Sequence, residues 1–262
     1  MPLVPVLGVC SLKGGVGKTS ITLGLASAAL ASGLRTLVVD LDPQADTTLS
    51  LGATGAAAQD VAAVLDNPAD YVVKSALAVS SWDPDLLDVL MGSAESARHD
   101  GPTFAHRLGR LATGLETLDE DEYDLVLVDC PPSLGGLTRQ GLTACDRAIV
   151  VTEPGLFSVT AAGRAFKAID ELRRTSAPDL QPLGVVINRV RARSSEQAYR
   201  QQELEEMYGP LILSPIIPER AAMQQAQGAG RAIHDWPGAP AAELAQAFDT
   251  ILARAMRAMA EA

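Results

Sequence analysis

Ser11-Leu12-Lys13-Gly14-Gly15-Val16-Gly17-Lys18-Thr19-Ser20 decides the fold. The stretch lies between an apolar, β-branched run, Val4 to Cys10, and an Ala- and Leu-rich run, Ile21 to Ala31. The order is strand, glycine-rich turn, helix. Backbone N–H groups at such a turn point outward, the helix dipole favours negative charge, and glycine lets a ligand approach the backbone. Gly17-Lys18-Thr19 is the working end of a P-loop, in which the lysine reaches the outer phosphates and the threonine hydroxyl ligates Mg²⁺. The standard pattern has a glycine five residues before Gly17, where this chain has Leu12. One glycine is displaced and a second lysine, Lys13, is added. Lys18 already occupies the phosphate side, so Lys13 points out of the site, either into solvent or across an interface.

The chain has 262 residues, enough for one large α/β domain with a sizeable core. No run reaches the roughly 18 apolar residues of a membrane span. The first apolar run enters the P-loop directly with no basic segment before it, so it reads as a strand rather than a signal peptide, and the expected place is the cytoplasm. Cys10, Cys130 and Cys145 form no C-x-x-C pair, which supports neither a disulfide framework nor a zinc site. The net charge of −11 is uneven: residues 1–159 carry 9 Lys/Arg against 20 Asp/Glu, and residues 160–262 carry 12 against 12. Affinity for nucleic acid therefore has to come from a local patch in the second half.

Strand-like runs recur at Arg35–Val39, Leu86–Met91, Asp124–Val128, Ala148–Thr152, Leu183–Asn188 and Leu211–Ile217. Helix-like spacing recurs at Val61–Leu65, Ala69–Leu77, Thr103–Leu118, Val159–Arg174, Glu196–Tyr208 and Ala241–Ala260. Strands alternating with helices predict a single-domain α/β P-loop NTPase over residues 1–262. Its sheet is mostly parallel and twisted, with helices on both faces.

Polar stretches follow three of these strands: the P-loop, Asp40-Leu41-Asp42-Pro43-Gln44, and Asp129-Cys130-Pro131-Pro132-Ser133. In a parallel sheet they converge at the carboxyl edge, where open α/β sheets bind ligands. Together they supply what phosphoryl transfer needs: positioned phosphates, a metal and an oriented water. The expected cofactors are ATP and Mg²⁺. Gly14, Gly15, Val16, Gly17, Lys18, Thr19 and Ser20 would cradle the phosphates, Lys18 would neutralise their charge, and Thr19 would ligate the metal. Asp129, an acid after four apolar residues, would hold the metal through water. Asp42, in a turn facing the γ-phosphate, would orient the attacking water and could approach the metal. For Asp40 two roles stay open, a catalytic one or a strand-end bond to the P-loop backbone.

The three motifs together resemble the ParA/MinD group of deviant Walker A ATPases, specifically its ParA/Soj branch, and weaker likeness runs over nearly the whole chain. The resemblance implies that Lys13 crosses the interface of an ATP-sandwich homodimer to the partner's phosphates. It implies that Asp42 is required for hydrolysis, that Asn188 reads adenine and that the backbone near Pro218 touches the base. It also implies slow hydrolysis stimulated by a ParB-like partner, nonspecific DNA binding by the ATP-bound dimer, nucleoid association, and a role in segregating or positioning DNA or other cargo.

One departure bears on DNA. After Ile217-Pro218 the ParA/Soj branch has Arg-Asn, whereas this chain has Glu219-Arg220, closer to MinD-type members. In favour of DNA stand Arg189, Arg191, Arg193 and Arg200, opposed within that stretch only by Glu196. The alternative is a MinD-like membrane-associated or orphan positioning ATPase without DNA binding. The tail around Phe248, Ile251, Leu252, Met256 and Met259 lacks the Lys-rich character of interfacial helices and is expected to pack on the core. An iron–sulfur role for Cys130 would need two cysteines per subunit on a dimer face, a pattern the sequence lacks.

Overall fold

Strands β1 (Val6–Cys10), β2 (Thr36–Asp40) and β5 (Leu125–Asp129) are buried at every residue. Continuous apolar runs of this kind belong in a parallel sheet covered on both faces. The computed structural model describes residues 4–53, 57–102, 105–119 and 121–261. With β3 (Leu77–Val79), β4 (Leu87–Leu90), β6 (Arg147–Thr152) and β7 (Gln181–Ile187), these strands form one seven-stranded sheet in the order β3-β4-β2-β5-β1-β6-β7. All neighbours are parallel except β3, which runs antiparallel to β4 at the edge.

Alternation along the strands divides the core into two layers. Leu7, Val9, Val38, Leu127 and Ile149 face a layer completed by α1 (Lys18–Ala31), α10 (Ala221–Gly228) and α11 (Ala239–Ala260). Val6, Val39, Val128, Val150 and Ile187 face the other. That layer is built by α3 (Val61–Asp66), α4 (Asp70–Ala76), α6 (Arg110–Leu115), α7 (Gly136–Thr143), α8 (Ser158–Thr175) and α9 (Ser195–Tyr208). Two further short helices are α2 (Asp46–Ser50) and α5 (Ala105–Leu108).

Past its first turn the P-loop helix α1 is apolar on nearly every side, and ten of its fourteen residues are buried. A helix apolar all round must be covered all round. The sheet covers one side and α11 the other. The contact is close because α1 has glycine at position 24: an added Cβ there would lie 2.2 Å from Phe248 Cζ. The tail helix is thus a core element, with Leu244, Phe248, Ile251, Leu252, Ala255 and Met259 turned inward.

The expected strand Leu211–Ile217 does not form. Residues Gly209–Leu211 make a 3₁₀ turn, and the segment is tied to its neighbours by isolated bridges, Val185 to Ile212 and Val190 to Pro218, and by single bonds such as the Ile217 N–H to the Ile187 carbonyl, rather than by a ladder. Pro215 removes a backbone donor inside that stretch and Pro210 and Pro218 flank it, so a continuous ladder is denied its donors at the middle and at both ends. The expected helix Thr103–Leu118 is broken at Gly109 into α5 and α6, and Thr103 and Phe104 lie outside the described residues. Sequence periodicity missed β3, whose three residues are too few to show an alternation. It also missed α7, whose Gly136 and Gly141 are poor helix formers.

Gly24→Ala should overpack the α1–α11 contact and destabilise the fold by about 1–3 kcal/mol. A lowered urea midpoint, partly restored by Phe248→Leu in the same chain, is the expected result.

Candidate active site

Strand register sets the geometry of the site. Val9 pairs with Asp129 and Asp129 with Asp40, so the P-loop, the Asp129 loop and the Asp40 turn leave the sheet side by side. They border a cleft of about 410 Å³ that includes Gly15 to Ser20, Asp42 and Gln44.

Asp129 is fully buried and accepts four hydrogen bonds. Its Oδ1 takes Lys18 Nζ at 2.8 Å and Thr22 Oγ1 at 3.0 Å. Its Oδ2 takes Thr19 Oγ1 at 3.0 Å and Thr47 Oγ1 at 2.5 Å. A carboxylate kept from water needs such partners. Burial works against the Lys18 ammonium, but the charge and hydrogen bond of Asp129, with Asp42 behind them, hold its pKa above the usual lysine value. Lys18 is only 6 % exposed, so this cation is a fixed part of the site.

Asp42 lies in the turn after β2, with Oδ2 3.6 Å from Lys18 Nζ. Its Oδ1 accepts the Gln44 N–H at 3.1 Å, so the residue also shapes its own turn. Of the two roles weighed for Asp40, the bond to the P-loop backbone is not the one it makes. Its Oδ1 accepts the Asp42 N–H at 3.1 Å, and its Oδ2 accepts both the N–H and the hydroxyl of Thr48 at 2.8 Å. Asp40 therefore fixes the Asp42 turn and α2 and makes no bond to the P-loop. Burial, reinforced by the Asp129 charge, pushes its pKa up to about 7 against the pull of the Thr48 bonds.

The two lysines of the loop are separated. Lys13 stands at the rim, 60 % exposed, in an ion pair with Glu153. Asn188 sits at the end of β7, where its Nδ2 donates to the Val16 carbonyl at 2.8 Å. It also lines a narrow groove with Ser20 and Pro218, so the two residues expected near the base do lie together beside the P-loop.

The four arginines do not form one free patch. Arg189 turns into the cleft and donates to the Gly15 carbonyl. Arg191 is paired with Glu219, and Arg200 with Glu196 and Glu203. Arg193 is exposed and has no acidic partner among the described residues. Cys130 is fully buried in the core, which removes it from any exposed cluster-binding face.

A magnesium ion fits this donor set. Mg²⁺ takes one or two protein oxygens and completes its octahedron with water and phosphate. Thr19 donates its hydroxyl proton to Asp129, which leaves its oxygen lone pairs turned away from the carboxylate. Thr19 would ligate the ion directly and Asp129 through water. Among the described residues no group of three or more His, Cys, Asp or Glu could hold a metal by itself.

Sequence reasoning missed Thr22 and Thr47. Thr22 could have been found, since it lies one turn after Lys18 on the same helix face. Thr47 could not, because α2 brings it to Asp129 and nothing local marks it.

Similarity to known proteins points the same way. The profile of an AAA domain family, AAA_31, matches residues 4–182. The chromosome partitioning protein ParA of Caulobacter vibrioides is 30 % identical, with 87 % of this chain and 85 % of that protein covered. The sporulation initiation inhibitor protein Soj of Bacillus subtilis is 27 % identical, with 87 % and 89 % covered. The fold matches an ATP complex of a single-residue variant of McdA from Cyanothece with a TM-score of 0.83 at 19 % identity, covering 97 % of each chain. It also matches cobyrinic acid a,c-diamide synthase of Mycobacterium smegmatis, solved with ADP and magnesium. That TM-score is 0.74 at 28 % identity, with 87 % of this chain and 97 % of that one covered. The chain belongs to the AAA_31 family and, within it, to the ParA/Soj-type partitioning ATPases.

Asp40 makes stability depend on pH. Its carboxyl is raised in the folded chain, so the fold holds a proton that the unfolded chain has already released between about pH 4 and 7. Its contribution is present at low pH and is lost as pH rises through 7. Melting curves from pH 5.5 to 8.5 should show the wild type losing stability relative to Asp40→Asn as pH rises.

Proposed function

We propose that the protein is a nucleotide-timed switch: ATP and Mg²⁺ bind, two copies close over the nucleotides, and slow hydrolysis reopens them. The observation that carries this reading is the division between the two P-loop lysines. Lys18 is buried and committed to its own site, while Lys13 is exposed at the rim of the cleft. A deviant Walker A lysine placed so is free to leave Glu153 for the phosphates of a second copy. Leu49 on the cleft border and Leu156 and Phe157 beside Lys13 are large apolar side chains left 63–75 % exposed around the same opening. A covering partner would remove them from water. Asp42 orients the attacking water, Thr19 and Asp129 hold Mg²⁺, and Asn188 and Pro218 receive the adenine.

Gel filtration with ATP tests the switch. Asp42→Ala should accumulate as a dimer because it closes and cannot hydrolyse, and Lys13→Ala should remain a monomer. If both variants stay monomeric with ATP while still binding it, the sandwich is wrong for this chain.

We further propose nonspecific DNA as the surface on which the dimer acts, with a ParB-like activator that speeds hydrolysis and a cytoplasmic, nucleoid-associated location. Relatives named for chromosome partitioning support this reading, as does Arg193. A second reading, a positioning ATPase that does not bind DNA, is favoured by the pairing of Arg191 with Glu219. Membrane association has little support: among the described residues no helix is long and apolar enough to cross a membrane, and the apolar face of α11 is occupied by α1. Glu219→Ala frees Arg191 and should increase ATP-dependent retention on DNA at low salt, and Arg193→Ala should reduce it, each with a changed salt slope. No ATP-dependent retention by the wild type or by Glu219→Ala would remove DNA in favour of the second reading.

A further inference from the structure

We infer that Arg189 is a positioning residue for the phosphates and not part of a nucleic-acid surface, with Asn188, beside the groove for the base, gripping the same loop. The two consecutive residues at the end of β7 clamp two consecutive carbonyls of the P-loop. Asn188 Nδ2 holds the Val16 carbonyl, and the Arg189 guanidinium holds the Gly15 carbonyl. In a trans peptide the C=O and the following N–H point in opposite directions. Fixing the Gly15 and Val16 carbonyls toward β7 therefore fixes the N–H groups of Val16 and Gly17 away from it. Among the described residues neither N–H makes a hydrogen bond of good geometry to a protein acceptor, although the Val16 N–H lies toward the Lys13 carbonyl across a loose turn. They form a small concavity of donors between left-handed Gly15 (φ 81°) and Gly17 (φ 86°), the kind of backbone nest that binds anions.

The backbone of Arg189 supports this reading. It has φ 56°, a left-handed conformation that non-glycine residues rarely hold. Such strain persists where the surroundings over-determine it, and it clusters at functional sites. Here the conformation sends the Arg189 side chain to the same loop as that of its neighbour Asn188. The fit is close: an added Cβ on Gly17 would lie 2.3 Å from Asn188 Nδ2 and 3.5 Å from Arg189 Nε. Arg189 also brings a third cation to the cleft beside Lys13 and Lys18. The inference rests on nucleotide binding at this cleft and does not require dimerisation.

The test separates the phosphates from the base. Inorganic tripolyphosphate and ATP, each with Mg²⁺, are titrated into wild type, Arg189→Gly and Arg189→Lys. Glycine suits the left-handed backbone, so Arg189→Gly removes the guanidinium without disturbing the turn, and its melting temperature without ligand should match the wild type. The expected result is a loss of affinity of about tenfold for both ATP and tripolyphosphate, the size of one charge-assisted hydrogen bond. Arg189→Lys should recover part of it, and kcat at saturating ATP should fall by less than the affinity does. Loss confined to ATP would overturn the inference in favour of a base contact. A fall in kcat with both affinities unchanged would overturn it by putting the guanidinium on the reacting phosphate. Wild type that binds neither probe would overturn both the clamp and the assignment of the cleft.

Discussion

The Asp129 carboxylate is the interaction on which the site depends. It is a negative charge with no access to water, and it is stable only because Lys18, Thr19, Thr22 and Thr47 all donate to it. Those donors come from α1 and α2, so one side chain at the end of β5 joins the P-loop helix to the segment after β2. Removing one partner of a buried pair leaves the other uncompensated, which costs about 3–5 kcal/mol. The geometry of Lys18 is therefore fixed before any ligand arrives. Asp40 extends the arrangement by one strand, since it anchors the Asp42 turn and Thr48. Two neighbouring strand-end acids thus have different duties: one organises the cation, the other the turn that carries the candidate catalytic acid.

The parallel sheet was legible because its strands are short apolar runs that cannot satisfy an amphipathic alternation, and because polar residues follow them directly. The P-loop, Asp42 and Asp129 could be placed at one edge from that pattern alone. The antiparallel strand β3 and the failed strand after Leu211 were not legible. Tertiary contact decides the first, and prolines that deny a ladder its donors decide the second. Within the site, residues acting through their immediate sequence neighbours could be read from spacing. Thr47 and Arg189 could not, since each is aimed at its target by the path of a whole segment.

The arginines show how far a charge count misleads. Four in twelve residues look like a patch when only Glu196 is set against them. In three dimensions Glu219, distant in sequence, neutralises Arg191, and Glu203 joins Glu196 on Arg200. Arg189, half-exposed, turns to the cleft. Electrostatic character is a property of the folded neighbourhood, and the same residues counted along the chain give a different sign of expectation.

The burial of α1 has a mechanical consequence. A helix enclosed by the sheet on one side and by Phe248 and its neighbours on α11 on the other has no direction in which to tilt without opening a void or a clash. It behaves as a stiff strut behind the phosphates. A push from any ligand seated in the cleft cannot be absorbed there. It has to be relieved at the strand-end turns in front, and those turns carry Asp42, Lys13 and Glu153.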